Sequence, residues 1–129
     1  MSTTRPVVLL VDDHADSRDM YAAMLDEYGF DVLAAENGNA ALAGANGRLP
    51  AAVVTDMRMP GTVTAVDLCT HFGGLGIPVI VLTGVSPGVE QDAARSAGCA
   101  ALVMKPFAPD ALLAEIRRVL RVTTSPQPQ

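Results

Sequence analysis

Five short apolar runs recur along the chain, each followed by a polar break and then by a stretch with helical periodicity. The runs are Pro6 to Val11, Asp31 to Ala35, Ala51 to Thr55, Pro78 to Leu82 and Ala100 to Met104. The first, third and fourth are almost unbroken Val, Leu, Ile and Ala, the pattern of strands covered on both faces, as in parallel sheets whose crossover helices lie on either side. Between the runs, Asp16 to Tyr28 sets Met20, Met24 and Tyr28 on one helical stripe, and Asp110 to Arg121 does the same with Leu112, Leu113, Ile116, Val119 and Leu120. Asn39 to Ala45, Ala65 to Phe72 and Val89 to Ala97 carry shorter or alanine-rich faces, and Gly29, Gly47 and Gly98 supply helix stops. A strand followed by a helix, five times over, predicts an α/β domain with a doubly wound parallel sheet and right-handed crossovers.

Composition narrows the function classes. A length of 129 residues suits one compact domain. No apolar run approaches the ~18 residues of a membrane span, and Met1 to Pro6 does not read as a signal peptide. A cytoplasmic protein with no membrane partner is the expectation. Cys69 and Cys99 lack the short spacing of a zinc site and read as small buried hydrophobes. Nine basic against fourteen acidic residues give a net charge of −5, with Lys105 the only lysine. No basic stripe or aromatic platform stands out, so direct nucleic-acid binding is not expected. Residues 123–129, rich in Thr, Pro and Gln, read as a disordered tail or the start of a linker after a domain over residues 1–122.

The chemistry collects at strand ends. The first run leads into Asp12 and Asp13, the third into Asp56, the fourth into Thr83 and the fifth into Lys105. In an open α/β sheet, ligands bind beyond the carboxyl ends of the strands at the topological switch point, so these groups should share one cleft. Two carboxylates ~4 Å apart repel by roughly 4 kcal/mol at an effective dielectric near 20. Three carboxylates therefore call for a cation, and an oxygen-only ligand set favours Mg²⁺. His14 adjoins the cluster, but a single histidine is weak evidence for zinc. Three carboxylates, one Mg²⁺ and Lys105 sum to about zero charge, which suits a phosphoryl group held between metal, ammonium, hydroxyl and main-chain N–H. Each residue also has a structural reading: Asp12 or Asp13 could cap the first helix, Thr83 the fourth, and Lys105 could be a solvated loop residue.

The run Val11-Asp12-Asp13, the string from Val54 through Asp56 to Gly61, the string Pro78 to Gly84, and Ala97-Gly98 through Lys105-Pro106-Phe107 together resemble the receiver domain of bacterial two-component response regulators, in the single-domain chemotaxis-type form. The resemblance runs from about Arg5 to Leu120. It implies a flavodoxin-like five-stranded sheet of order 2-1-3-4-5. It also implies that the protein is a phosphoacceptor and not an enzyme in its own right. By the resemblance, Asp56 takes the phosphoryl group from a sensor histidine kinase or phosphotransfer protein. Mg²⁺ is held by Asp12, Asp13, Asp56 and the main-chain carbonyl of Arg58. Thr83 and Lys105 receive the phosphoryl oxygens, and the Lys105–Pro106 bond is cis. A downstream protein partner binds the face formed by the fourth helix, fifth strand and fifth helix, and the chain is a monomer or a weak phosphorylation-dependent dimer.

Three positions depart from the family pattern. Arg58 is bulky where smaller or polar residues are common, and should overhang the site. Leu102 stands where many receivers carry a switching aromatic, so the switch would pass through Thr83 and Leu102. Thr62-Val63-Thr64-Ala65 replaces the usual segment after Pro60-Gly61, which predicts a differently shaped third loop and helix. Two other functions compete. A receiver severed from a hybrid kinase or multidomain regulator would read the same. A haloacid-dehalogenase-like phosphatase also uses a strand-end Asp, Mg²⁺, Thr and Lys, and Gly61 to Thr64 faintly resembles its motif, but it needs a second Asp two residues after the first, where Arg58 stands. A nucleotide binder is disfavoured because Asp12-Asp13-His14 replaces a glycine-rich loop.

Overall fold

The computed structural model describes residues 5–45, 47–84, 89–105 and 108–124. Five strands, β1 (Val7–Val11), β2 (Asp31–Ala35), β3 (Ala52–Asp56), β4 (Val79–Thr83) and β5 (Ala101–Met104), alternate with five helices, α1 (Ala15–Glu27), α2 (Gly38–Ala45), α3 (Ala65–Gly74), α4 (Val89–Ser96) and α5 (Pro109–Thr124). The sheet is wholly parallel in the order β2-β1-β3-β4-β5. This is the flavodoxin-like doubly wound arrangement implied by the sequence.

Burial explains the runs. Every residue of β1, β3 and β4 is buried, whereas β2 and β5, at the two edges, are only partly covered. Successive side chains leave a strand on opposite faces, and the core divides accordingly. Leu9, Val11, Val53, Val79 and Val81 pack with Ala41 and Ala45 of α2, Leu68, Cys69 and Phe72 of α3 and Ala94 of α4. Val8, Leu10, Val54, Ile80 and Leu82 pack with Leu25 of α1 and Leu112, Leu113, Ile116 and Val119 of α5. Two apolar layers thus clamp the sheet, and α5 buries the stripe predicted for it.

The predicted stripe of α1 is displaced. Met20 and Tyr28 are exposed, while Leu25 is buried and Tyr21, Ala22 and Met24 are half-buried against the sheet. Tyr28 finds cover another way, with the Arg117 guanidinium 5.7 Å above its ring; such stacking lets an amphipathic aromatic sit outside the core. Gly29 (φ +98°) and Gly98 (φ +93°) take the left-handed turns expected after α1 and α4. Gly47 does not, and Gly76 after α3 does so instead. Residues 123 and 124 belong to α5, and residues 125–129 lie outside the described residues.

At the end of the sheet where β1 and β2 begin, Arg5 contacts Asp26 Oδ1 at 2.8 Å and Asp31 Oδ1 at 3.0 Å, and donates to the carbonyl of Phe30 at 2.7 Å. Arg48 reaches the other oxygen of Asp31 at 3.2 Å.

The third loop has its own architecture. Thr64 caps α3 in a reciprocal box, accepting from the N–H of Asp67 while Asp67 accepts from the N–H of Thr64. Ahead of it, the Asn39 side chain donates to Thr62 Oγ1 at 3.0 Å and accepts from Val63 N–H at 3.3 Å. The loop lies so close to the start of α2 that a Cβ on Gly38 would fall 2.5 Å from the Val63 carbonyl oxygen. The departure at residues 62–65 is therefore a loop docked onto α2 and locked to α3.

Candidate functional site

Register brings the strand-end residues to one level. Val11 pairs with Thr55, Asp56 with Leu82 and Thr83 with Met104. Asp12, Asp56, Thr83 and Lys105 therefore emerge together at the carboxyl edge, with the switch point between β1 and β3 beneath the carboxylates. The ladder continues into this edge: Met57 N–H donates to Leu82 O at 2.8 Å and Lys105 N–H to Thr83 O at 2.7 Å. A cleft of about 250 Å³ opens there, lined by Asp13, His14, Asp56, Met57, Arg58, Leu82, Thr83, Gly84 and Lys105.

Asp56 is 4 % exposed, and Lys105 Nζ lies 2.7 Å from its Oδ1. Burial pushes the Asp56 carboxyl up to about 6; the Lys105 hydrogen bond opposes this and the nearby Asp12 adds to it. Burial acts against the Lys105 ammonium too, but the hydrogen bond and charge of Asp56 outweigh it and raise that group. Asp12 is buried and its Oδ1 accepts from the N–H of His14 at 2.9 Å, while its Oδ2 has no protein partner. Its main-chain carbonyl accepts from Arg18 Nη1 at 2.8 Å. Neither Asp12 nor Asp13 caps α1; the N-cap residue is His14, whose side chain makes no capping bond.

One ligand atom from each of Asp12, Asp13, His14 and Asp56 lies within 4.8 Å of the others. A buried carboxylate oxygen without a partner carries a desolvation cost that a cation would offset. The residues present therefore fit a divalent metal ion. Thr83 is fully buried at the end of β4 and still borders the cleft.

The arrangement matches a known family. The response regulator receiver domain family matches residues 8–117. The chain belongs to it.

As a receiver, it is 32 % identical over 122 residues to the DNA-binding response regulator MtrA of Mycobacterium bovis, covering 94 % of this chain and 53 % of MtrA. It is 32 % identical over 120 residues to the phosphate regulon transcriptional regulatory protein PhoB of Pseudomonas aeruginosa, covering 90 % of this chain and 52 % of PhoB. The chain thus spans about half the length of these two relatives. The chemotaxis response regulator CheY4 of Vibrio cholerae superposes with a TM-score of 0.81 at 28 % identity, over 90 % of this chain and 99 % of CheY4. A CheY-like receiver from Methanospirillum hungatei JF-1 superposes at 0.86 with 24 % identity, over 93 % of this chain and 97 % of that one, a likeness of fold alone.

Within this receiver, the structure brings Asp12, Asp13, Asp56, Thr83 and Lys105 together as the sequence led one to expect. Arg58 is exposed and borders both the cleft and a neighbouring apolar hollow of about 420 Å³ that reaches Ala93 of α4. Leu102 lies away from the cleft, half-buried opposite Val81 and packed against the core layer that holds Ala94. Pro106 lies outside the described residues.

One neighbour of the site, Tyr21, and one buried polar residue beside β5, Gln91, carried no motif in the sequence. Tyr21 on α1 is near enough for its phenol, raised first by burial, to feel Lys105, Asp12 and Asp56. Gln91 on α4 is 2 % exposed with its Nε2 3.6 Å from the sulfur of Met104 on β5. Cys69 is buried and Cys99 half-buried; burial, with Cys99 beside it, pushes the Cys69 thiol up to about 12, so it behaves as a neutral core group. Among the described residues no helix is long and apolar enough to cross a membrane.

Proposed function

We propose that Asp56 accepts a phosphoryl group from the phosphohistidine of a sensor histidine kinase or phosphotransfer protein. The observation that carries this reading is the buried Asp56 carboxylate hydrogen-bonded to Lys105 Nζ at 2.7 Å and set within the Asp12–Asp13 cluster. An Asp56 oxygen attacks phosphorus, the P–N bond breaks, and the imidazole leaves with the electron pair. Lys105 offers its ammonium to the charge that builds on the phosphoryl oxygens, and the Thr83 hydroxyl supplies a further donor. Asp12, Asp13, Asp56 and the main-chain carbonyl of Arg58 would hold Mg²⁺. That ion, when bound, neutralises the carboxylates and the incoming phosphoryl oxygens. The chain transfers the group only to and from itself, so it signals and does not turn over a substrate.

The phosphorylated form then engages a protein partner through α4, β5 and α5, in the cytoplasm, as a monomer or weak dimer. MtrA is a DNA-binding regulator by name; here the net charge of −5 supports placing any DNA contact outside these residues. A receiver belonging to a hybrid kinase or multidomain regulator remains the second reading, supported by a length about half that of MtrA and PhoB.

The test is incubation with Mg²⁺ and acetyl phosphate followed by intact-mass measurement. One base- and hydroxylamine-labile phosphoryl group is expected on the wild type, and none on Asp56→Asn or after chelation. Equal labelling of Asp56→Asn removes the assignment.

A further inference from the structure

The imidazole of His14 borders the cleft and takes no part in the phosphotransfer chemistry above. His14 occupies the N-cap of α1 with extended backbone (φ −93°, ψ 114°), a position favouring Ser, Thr, Asp or Asn because their short side chains reach the free N–H groups of the first turn. Its ring caps nothing. Instead Nδ1 lies 3.2 Å from Asp13 Oδ1 and 3.7 Å from Asp12 Oδ1. An octahedral ion with ligands at about 2.1 Å sets adjacent ligand atoms about 3.0 Å apart, and a tetrahedral ion about 3.3 Å. The separation from Asp13 is of this size and that from Asp12 Oδ1 is longer, so the nitrogen sits where a vertex next to the Asp13 oxygen would fall.

A second observation points the same way. Asp12 Oδ2 is buried without a protein partner, although Oδ1 of the same carboxylate is satisfied by the N–H of His14. The ring is 75 % exposed, so it turns toward an ion without disturbing the core.

We propose that His14 is a nitrogen ligand of this centre, and that the site therefore takes an imidazole-accepting first-row transition ion such as Zn²⁺ more tightly than Mg²⁺. The proposal rests on the reading of the carboxylate cluster as a divalent-metal site and adds its selectivity. Imidazole suits Zn²⁺ and its neighbours in the transition series, whereas Mg²⁺ prefers oxygen, dehydrates reluctantly and gains little from a ring nitrogen. The alternative role for the ring is a counter-charge to Asp13, which predicts no loss of metal affinity when the ring is removed.

The test is calorimetric titration of the metal-free full chain with Zn²⁺ and, separately, Mg²⁺, for wild type, His14→Ala and Asp13→Asn, alongside ¹⁵N NMR of the imidazoles. His14→Ala is expected to weaken Zn²⁺ at least about tenfold, the scale of losing one coordinating contact, and to leave Mg²⁺ within about twofold. Zn²⁺ should shift a ring nitrogen of His14 and leave His71 unmoved. Unchanged or tighter Zn²⁺ binding in His14→Ala, or an unshifted His14 ring, overturns the proposal while leaving the phosphotransfer reading intact. Zn²⁺ binding that survives Asp13→Asn at full strength places the ion elsewhere on the chain and overturns it too. A wild type that binds neither ion removes the metal site itself, and both readings with it.

Discussion

Lys105 Nζ stands 2.7 Å from Asp56 Oδ1, joining the ends of β5 and β3 across the intervening β4. The contact holds the carboxylate in place, yet it does not offset the burial of that charge, because the Asp56 carboxyl still rises from 3.8 to about 6. The folded protein binds that proton more tightly than the unfolded chain. The contribution to stability is thus fully present below about 3.8 and lost as pH rises through about 6. Asp56→Asn, which keeps the shape without the charge, should stabilise the metal-free protein by about 2–3 kcal/mol at pH 7. The gain should fade as pH drops from about 6 toward 4. Thermal melts of both proteins across that range check this, and a destabilised mutant at pH 7 contradicts it.

Arg58 borders both the cleft and the apolar hollow beside it. If Asp56 is phosphorylated as proposed, a guanidinium there would shield the aspartyl phosphate from water or pair with its oxygens. Arg58→Asn should speed its hydrolysis about tenfold, equivalent to roughly 1.4 kcal/mol of barrier. Decay of the phosphoprotein followed by mass spectrometry measures it, and an unchanged or slower rate shows that the side chain does not guard the phosphoryl group.

Leu102 packs against the layer containing Ala94 and has no hydroxyl to hold one of two positions. A ligand shifts a population only by its differential interaction with the two states. Beryllofluoride should therefore move amide resonances strongly around Asp56 and Thr83 and weakly beyond Leu102, and Leu102→Tyr should enlarge the distal response. Large wild-type shifts throughout β5 and α5 that the substitution leaves alone would place the switch in another element.

Thr64 and Asp67 satisfy one another's N–H groups at the start of α3. Thr64→Ala should cost about 1 kcal/mol in urea unfolding. Gly38→Ala should cost more, since its methyl would meet the Val63 carbonyl and side chain at 2.5–2.8 Å and push the loop off α2. Equal stability of Gly38→Ala and wild type would show that the loop yields freely.

The strands were legible because burial on two faces leaves little choice of residue: Val7 to Val11 and Val79 to Leu82 read as interior strands and are. The clustering of the strand-end residues was legible for a related reason, since Asp56 directly ends a buried run. Tyr28 misled because a ring can be covered by Arg117 as well as by a core. The distinct environments of Asp12 and Asp13, with side chains 1 % and 29 % exposed, follow from how the chain turns after β1, which adjacent identical residues do not reveal. The docking of Asn39 on Thr62 links positions 23 apart through side chains and leaves no periodic trace.

Arg5 fastens the starts of β1 and β2 and the end of α1, with Arg48 adding a further tie to Asp31. The other edge strand, β5, is tied differently: Arg118 Nη2 donates to the Ala100 carbonyl ahead of it at 3.3 Å, and Lys105 just beyond it reaches Asp56 at 2.7 Å. The two outer strands are thus fastened by different charges, one set at the far end of the sheet from the cleft and the other partly inside it. A change of charge at Asp56 therefore acts on the fastening of one edge and leaves that of the other alone.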